Sequence, residues 1–130
     1  MIQVDPNISE KKKSFLIKRA KSFVHAGRGV WIFIKDTPNV WVHGLVLCGA
    51  VMLGVYLHIT QLEWLVLILV SALVLVAEAI NTAIEIDIDL TSPEYHPFAR
   101  DTKDVAAGSV LLASIAALVV GAVVFVPYLF

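Results

Sequence analysis

The sequence predicts an all-α integral membrane protein, in which an amphipathic surface helix precedes three membrane-spanning helices. The first observation behind this prediction is composition: the 130 residues are 58% hydrophobic and 16% charged, whereas a soluble domain is about 45–50% apolar and about 25% charged. A chain of this length that folded in water would bury roughly two-thirds of its unfolded surface, too little to hide this apolar content. The second observation is that the apolar residues are gathered into three long stretches between polar segments.

The same composition argues against three other classes of protein. A formal net charge of −1 is not typical of a nucleic-acid-binding protein, a single cysteine cannot form a disulfide scaffold, and the apolar content is too high for a disordered chain. We expect this cysteine, Cys48, to be a buried thiol. The length fits one domain, which we predict to occupy residues 1–130 and to be embedded in the membrane.

The N-terminal segment predicts an amphipathic helix over about residues 10–35. At 100° per residue its apolar side chains fall on one stripe and most of its basic side chains on the opposite side. The apolar set is Leu16, Ala20, Phe23, Gly27, Val30, Trp31 and Ile34, and the polar set is Lys18, Lys21, His25, Arg28 and Lys35. This pattern is typical of a helix that lies in the headgroup layer of a membrane, although an electrostatic anchor alone would give the same charges.

The three apolar stretches predict membrane spans over about residues 38–59, 62–90 and 102–127. A spanning helix needs roughly 20 mostly apolar residues, which the first and third stretches supply. The second reaches that length only by continuing through Glu78, Asn81 and Glu85, and no Gly or Pro between residues 77 and 90 prevents this. We expect Asp101 or Thr102 to cap the third span.

Small and aromatic residues refine this picture. Ala113, Ala117 and Gly121 form a ridge on the third span that predicts close helix packing. We expect His43 and His58, near the ends of the first span, to lie at the membrane interface.

The distribution of basic residues predicts the orientation. Eight of the ten Lys and Arg residues lie within the first 35 residues, and the other two, Arg100 and Lys103, lie between the second and third spans. Because cytoplasmic segments are enriched in Lys and Arg, we expect a cytoplasmic N-terminus and an external C-terminus.

The second span carries the polar residues that suggest chemistry. On a helix with 3.6 residues per turn, five of them share one face near its inner end. They are Glu78, Asn81, Thr82, Glu85 and Asp89. Charged groups at membrane depth are costly and normally face a protein interior or a watery cavity, so this face predicts a functional site. The alternative is a polar seam that joins helices, and Asp87 falls on the opposite face without an evident role.

A second polar cluster lies between the last two spans, at residues 94–96 and 101–104. Neither of the glycine-rich phosphate-binding patterns, GxxxxGK[ST] or GxGxxG, occurs in the sequence. If the chain binds a nucleotide, carboxylates, a metal ion and Lys103 must therefore hold it.

These polar segments resemble the bacterial diacylglycerol kinase family, which includes the undecaprenol kinases. Residues 78–85 read EAINTAIE, residues 93–97 read PEYHP and residues 103–108 read KDVAAG. A weaker match extends the resemblance toward the N-terminus, at Ser22, Phe23, Ala26, Gly29, Pro38, Asn39 and His43. The resemblance implies a homotrimer of a single lipid kinase domain, in which ATP with Mg²⁺ phosphorylates a lipid hydroxyl at the cytoplasmic face of the bacterial inner membrane.

The resemblance also implies roles for individual residues. Glu78 would be the general base that meets the lipid hydroxyl, Asn81 a supporting amide, and Glu85 a ligand of the metal that accompanies the nucleotide. The nucleotide-binding positions would be Glu85, Glu94, Tyr95, His96, Lys103 and Asp104, with Lys18 and His25 on the N-terminal helix. Many members of the family carry an acidic metal ligand where this chain has Thr37, and here the acid stands one residue earlier, at Asp36. The second metal ligand is therefore open between these two positions.

The predicted function is ATP-dependent phosphorylation of a lipid alcohol, either diacylglycerol or undecaprenol, with the acceptor left open. The sequences of the PEYHP and KDVAAG segments resemble the undecaprenol kinase branch more than the proteobacterial diacylglycerol kinase branch. The alternative is a non-catalytic membrane assembly, or a small ion-conducting oligomer whose interior is lined by the carboxylates. We expect the partners to be ATP, a lipid and further copies of the chain, and not a nucleic acid.

Overall fold

The computed structural model describes residues 6–130, with side chains from residue 14 onward. Four α-helices follow one another: α1 (Pro6–Asp36), α2 (Asn39–Leu57), α3 (Gln61–Thr91) and α4 (Pro97–Leu129). Helices α2, α3 and α4 are each long and apolar enough to cross a membrane. No strand occurs within the described residues. The predicted fold class, an all-α membrane protein with one helix before three spans, is confirmed.

The described part of the chain divides into two compact units, with the boundary between residues 35 and 36. The first unit consists of α1 up to Lys35. Its apolar stripe is exposed at Leu16, Phe23 and Trp31, and the Arg19 guanidinium lies 4.7 Å from the centre of the Phe15 ring. An exposed apolar stripe on a basic helix is the surface that an interfacial membrane helix presents to lipid.

In the second unit, α2 and α3 form a helical hairpin with a three-residue turn. His58 ends α2 in the left-handed conformation, with φ 53°. Thr60 then caps α3 in a reciprocal arrangement, in which its backbone N–H donates to Glu63 Oε2 at 2.7 Å and its hydroxyl accepts from the Glu63 backbone N–H at 3.4 Å. Such a capping box satisfies backbone donors that a helix start would otherwise leave unpaired. The turn therefore fixes α3 directly antiparallel to α2.

Two further contacts hold this end of the bundle, which we call the turn end. Gly54 lies so close to Trp64 that a Cβ atom at this position would stand 2.9 Å from the indole ring. The Tyr128 hydroxyl donates to Glu63 Oε2 at 2.8 Å, which joins the last turn of α4 to the first turn of α3. A small core of Ile59, Leu67 and Val124 is buried beside them. The opposite end of the bundle, where α2 begins and α3 ends, is called the site end below.

Helix α3 packs chiefly against α4 and less extensively against α2. The cap expected at Asp101 or Thr102 is wrong, because α4 begins at Pro97 with His96 as its N-cap. Proline suits the first position of a helix, since its φ is already helical and its missing N–H would be unpaired there anyway. Thr102 instead lies within the helix, where its hydroxyl donates to the Phe98 carbonyl at 2.7 Å.

The expectation that Cys48 is a buried thiol is also wrong. Its side chain is exposed, as are those of its α2 neighbours Leu45, Val46 and Met52. An apolar helix in a membrane need not bury its apolar side chains in protein, because lipid tails are as apolar as a protein core.

Candidate active site

The centre of the site is Glu78 on α3, the most deeply buried large side chain of the described residues. Its side chain is 1% exposed, and its Oε1 atom lies 3.0 Å from His43 Nε2 on α2. A carboxylate can only accept hydrogen bonds, so the imidazole N–H donates to it. Because an unpaired charge buried in an apolar environment is very costly, this hydrogen bond is part of what allows a carboxylate to remain at this depth.

A second buried contact reaches α3 one helical turn from Glu78, and it comes from Thr37 in the short connection between α1 and α2. The hydroxyl oxygens of Thr37 and Thr82 are 2.7 Å apart, and both residues are buried. Each hydroxyl can donate or accept, so one of the two donates to the other. Thr37, two residues before α2, and His43 on α2 therefore contact the polar face of α3 at two adjacent levels.

The polar face of α3 continues through Asn81 and Glu85. The Asn81 side-chain amide donates to Glu85 Oε1 at 3.0 Å. Asn81 Oδ1 is buried and, within the described part of the chain, has no hydrogen-bond partner. Buried polar atoms are nearly always paired, and an unpaired one is a place where a missing ion, water or ligand is expected.

The last polar contact of the site joins α3 to α4. Lys103 Nζ donates to Asp89 Oδ1 at 2.9 Å. Lys103 is half-buried, whereas Asp89 is exposed. The connection from Ser92 to His96 lies at the same end of the bundle, and its Glu94, Tyr95 and His96 are exposed.

The structure therefore brings some of the predicted site residues together and leaves others apart. Glu78, Asn81 and Glu85 lie along one face of α3, and Lys103 meets that helix through Asp89. Asp104 forms an exposed ion pair with Arg100 at 3.6 Å. Of the two candidates for the second metal ligand, Asp36 is exposed and Thr37 is buried against Thr82.

The two predicted nucleotide contacts on α1, Lys18 and His25, are exposed within the first unit of the chain. Asp87 is exposed on α3, and nothing in the structure explains why a carboxylate stands there.

The residues present suit a hard divalent cation of the Mg²⁺ type. Among the described residues no three His, Cys, Asp or Glu side chains are grouped to hold a metal. Mg²⁺ does not need such a group, because it is commonly bound by one or two carboxylates, several waters and the phosphates of a substrate. The Glu85 carboxylate and the unpaired Oδ1 atom of Asn81 are oxygen ligands of the kind that Mg²⁺ prefers.

The contact between His43 and Glu78 was not predicted from the sequence. A search by helical face within one span cannot find it, since His43 lies on a different helix from Glu78. One available signal was that the two residues stand at similar sequence distances on either side of the turn at Ile59. In an antiparallel hairpin such residues lie at the same depth.

The chain is similar to known proteins over most of its length. Residues 24–125 match the family model described as prokaryotic diacylglycerol kinase. The chain is 33% identical over 121 residues to a protein named undecaprenol kinase from Bacillus subtilis, which covers 93% of this chain and 98% of the relative.

Two further relatives are named diacylglycerol kinase. One, from Synechocystis, is 38% identical over 107 residues, covering 82% of this chain and 61% of the relative. The other, from Escherichia coli K12, is 32% identical over 76 residues, covering 58% of this chain and 62% of the relative. No solved structure gives a significant match. The chain thus belongs to the prokaryotic diacylglycerol kinase family, and it is a lipid kinase of the membrane.

Proposed function

We propose that this lipid kinase transfers the γ-phosphoryl group of ATP to the hydroxyl of a membrane lipid alcohol, with Glu78 as the general base. The observation that carries the proposal is the pairing of a fully buried carboxylate with His43 on a membrane-spanning helix. A carboxylate at membrane depth is costly and marks a functional site by default. The names of the family and of the relatives support lipid phosphorylation as the reaction.

The depth of the two carboxylates on α3 supports separate roles for them. At a rise of 1.5 Å per residue, Glu78 is about 22 Å and Glu85 about 33 Å from Glu63 along the helix axis. The hydrocarbon core of a bilayer is about 30 Å thick. With Glu63 at one boundary of the hydrocarbon, Glu78 lies inside it and Glu85 beyond the other boundary. A lipid hydroxyl can therefore reach Glu78, while a water-soluble nucleotide reaches Glu85.

The proposed reaction is a single displacement at phosphorus. The oxygen of the lipid hydroxyl forms a bond to the γ-phosphorus of ATP, and its proton passes to the Glu78 carboxylate. The bond from the γ-phosphorus to the bridging oxygen of the β-phosphate breaks, and ADP leaves. Because His43 occupies Oε1, we assign the proton to Oε2. A correctly placed base of this kind contributes typically 10²–10⁴-fold to the rate.

The remaining polar groups bind and orient the nucleotide. Glu85, supported by Asn81, would hold the Mg²⁺ ion that neutralises charge on the phosphate oxygens. Lys103 is bonded to Asp89, but an ammonium group has three donors and can bind a phosphate oxygen as well. Lys18, His25, Glu94, Tyr95, His96 and Asp104 remain candidates for contacts to the nucleotide, and Asp36 or Thr37 for the second metal ligand.

We propose undecaprenol as the first candidate for the acceptor. The relative that matches over nearly its whole length is named undecaprenol kinase. Diacylglycerol is the second candidate, because the relative from Synechocystis, named diacylglycerol kinase, has the higher sequence identity.

We also propose that the whole chain forms one lipid kinase domain, that three copies assemble, and that the protein lies in the bacterial inner membrane with its N-terminus in the cytoplasm. The basic residues support this orientation, since they are gathered in the N-terminal segment and in the connection between α3 and α4. Native mass spectrometry in detergent checks the trimer, and a dimer or monomer as the main species would contradict it.

A transfer assay tests the function. The purified protein in lipid vesicles receives Mg²⁺ and ATP labelled at the γ-phosphate, together with undecaprenol, with diacylglycerol or with neither. We expect label in the extracted undecaprenol fraction. Label in diacylglycerol alone would change the acceptor, and label in neither lipid would overturn the proposed function.

A further inference from the structure

Asp89 is the last carboxylate on the polar face of α3, and the proposed reaction assigns it no role. Its Oδ1 atom accepts a hydrogen bond from Lys103 Nζ at 2.9 Å. Within the described part of the chain, two side-chain hydrogen bonds join α3 to α4, and the other is the Tyr128–Glu63 contact at the turn end. The Asp89–Lys103 pair is therefore the polar link between these two helices at the site end.

Helical spacing places this link beside the proposed metal ligand. Asn81, Glu85 and Asp89 follow one another at intervals of four residues, and side chains four residues apart on a helix are neighbours, with about 5–6 Å between their Cβ atoms. The hydrogen bond from Asn81 to Glu85 at 3.0 Å shows this proximity directly. An ammonium group bound to Asp89 thus stands one helical turn from the Glu85 carboxylate.

Lys103 needs a partner that holds its charge in one place. A lysine side chain is a flexible four-carbon stem with a point charge at its tip, so it does not fix the ammonium group by itself. That group has three donors, and among the described residues one of them is taken, by Asp89. The other two are left for phosphate oxygens, and the bond to Asp89 restricts where they point.

A purely structural role explains the pair poorly. The side chains of Asp89 and Lys103 are 69% and 38% exposed, and an ion pair with this exposure contributes little to stability. Asp89 also places a negative charge beside a site for an anionic nucleotide, which by itself would weaken binding. Both facts are explained if the carboxylate serves to orient the lysine.

We infer that Asp89 is a positioning residue, which holds the Lys103 ammonium group against the phosphates of the nucleotide. The inference rests on the proposed kinase function and adds a residue that does not itself touch the substrate. Glu85 on α3 and Lys103 on α4 would act on the phosphates together, and the Asp89–Lys103 hydrogen bond would set the distance between them. Phosphoryl transfer depends on such positioning, because it leaves little covalent chemistry for the protein to do.

Replacing Asp89 by Asn tests the inference by kinetics. The amide keeps the shape of the side chain and removes the charge that holds the ammonium group. We expect kcat to fall about tenfold, because a small misplacement of a group that acts on the reacting atoms is costly. The KM for ATP should change less than about threefold, since the variant also removes a charge that repels the phosphates. Asp87→Asn removes an exposed carboxylate of the same helix and is the matched control, with wild-type kinetics expected.

A charge exchange separates positioning from a simple link between helices. Asp89→Lys combined with Lys103→Asp restores an ion pair between α3 and α4 but moves the ammonium group to α3. We expect the kcat of this double variant to stay at or below that of Asp89→Asn. Asp89→Glu keeps a carboxylate and should retain more of the kcat than Asp89→Asn does.

The contact between Lys103 and the nucleotide is measured without turnover. Acetylation of Lys103 by an N-hydroxysuccinimide ester is followed by mass spectrometry, with and without Mg²⁺ and a non-hydrolysable ATP analogue. With the analogue at about ten times its Kd, we expect the acetylation of Lys103 to slow about tenfold in the wild-type protein and clearly less in Asp89→Asn. Because this protection requires no transfer to lipid, failure of the kinase function and failure of the positioning role are distinguishable.

Three results would each overturn the inference. The first is a wild-type kcat for Asp89→Asn, and the second is a wild-type kcat for the charge-exchanged variant, which would leave Asp89 only a link between helices. The third is equal acetylation of Lys103 with and without the analogue, which would remove Lys103 from the nucleotide site.

Discussion

His43 Nε2 on α2 lies 3.0 Å from Glu78 Oε1 on α3, so the most buried carboxylate of the described bundle takes a hydrogen bond from a neighbouring helix. This contact orients the carboxylate. His43 occupies Oε1, and Oε2 is the oxygen that we assign to the substrate hydroxyl. The pair also sets the depth at which α2 and α3 meet.

Replacing His43 by Ala removes the N–H donor, so the buried Glu78 carboxylate loses its hydrogen bond from α2. We expect a loss of stability of about 1–3 kcal/mol, the cost of an unsatisfied buried group, and a lower kcat with an unchanged KM for ATP. His43→Gln keeps an N–H donor and should restore most of the kcat. If the Gln variant is as impaired as the Ala variant, the role of His43 is not to position the carboxylate by a hydrogen bond.

Replacing Glu78 by Gln keeps the shape of the side chain and removes the base. We expect turnover to fall by roughly 10²–10⁴-fold, while binding of a non-hydrolysable ATP analogue, measured by calorimetry, is retained. Asp101→Asn is the control, since Asp101 is an exposed acid outside the site. Substantial turnover by the Glu78 variant would reject its assignment as the base.

Replacing Glu85 by Gln tests the metal assignment. A neutral amide is a weaker ligand for Mg²⁺ than a carboxylate, so the Mg²⁺ concentration for half-maximal activity should rise several-fold. Asp87→Asn removes an exposed carboxylate two residues away on the same helix and should leave the titration unchanged. An unchanged titration for the Glu85 variant would move the metal to other residues.

The hydroxyl pair of Thr37 and Thr82 predicts a coupling energy between α3 and the residues that precede α2. Thr→Val substitutions keep the shape of each side chain, so a double-mutant cycle isolates the hydrogen bond. We expect a coupling of about 0.6–1 kcal/mol, typical of hydrogen bonds between membrane helices. Unfolding in detergent, followed by tryptophan fluorescence, measures it. Strictly additive effects of the two substitutions would show that the bond contributes nothing to stability.

Gly54→Ala should destabilise the turn end. The added Cβ atom would stand 2.9 Å from the Trp64 ring and 3.0 Å from Ile59 Cδ1, and overpacking of this kind costs typically 1–3 kcal/mol. Gly44→Ala, where the Cβ atom meets open space, is the control and should not lower the midpoint of thermal unfolding. Trp64→Phe combined with Gly54→Ala should recover part of the loss, and an unaffected single variant would contradict the close packing described for this turn.

Much of the fold could be predicted from the sequence because each spanning helix has its own local signal. The apolar stretches have the length that a bilayer requires, and the polar face of α3 follows from helical periodicity alone. The start of α4 was misplaced because two signals competed. Asp101 and Thr102 are good capping residues, but Pro97 already satisfies the requirements of a first helical position.

The missing parts of the site depend on contacts between helices. The partner of Glu78 lies on α2 and that of Thr82 just before it. Periodicity along one helix carries no information about which residue of another segment faces it. Lys103 was expected to bind a phosphate, and its hydrogen bond to Asp89, which joins α4 to α3, was not predicted. The exposure of Cys48 was missed because a rule taken from water-soluble proteins assigns apolar residues to the interior.

Helix α2 is held by different kinds of contact at its two ends. At the turn end, a three-residue connection, the Thr60–Glu63 cap and the Gly54–Trp64 contact hold α2 in place. At the site end, His43 on α2 and Thr37, two residues before it, form side-chain hydrogen bonds to α3. Since α2 is about 28 Å long, a tilt of about 10° around the turn would carry its first residues about 5 Å outward. Such a tilt would separate the Thr37–Thr82 and His43–Glu78 contacts while leaving the turn nearly in place, so these two hydrogen bonds set the position of the site end of α2.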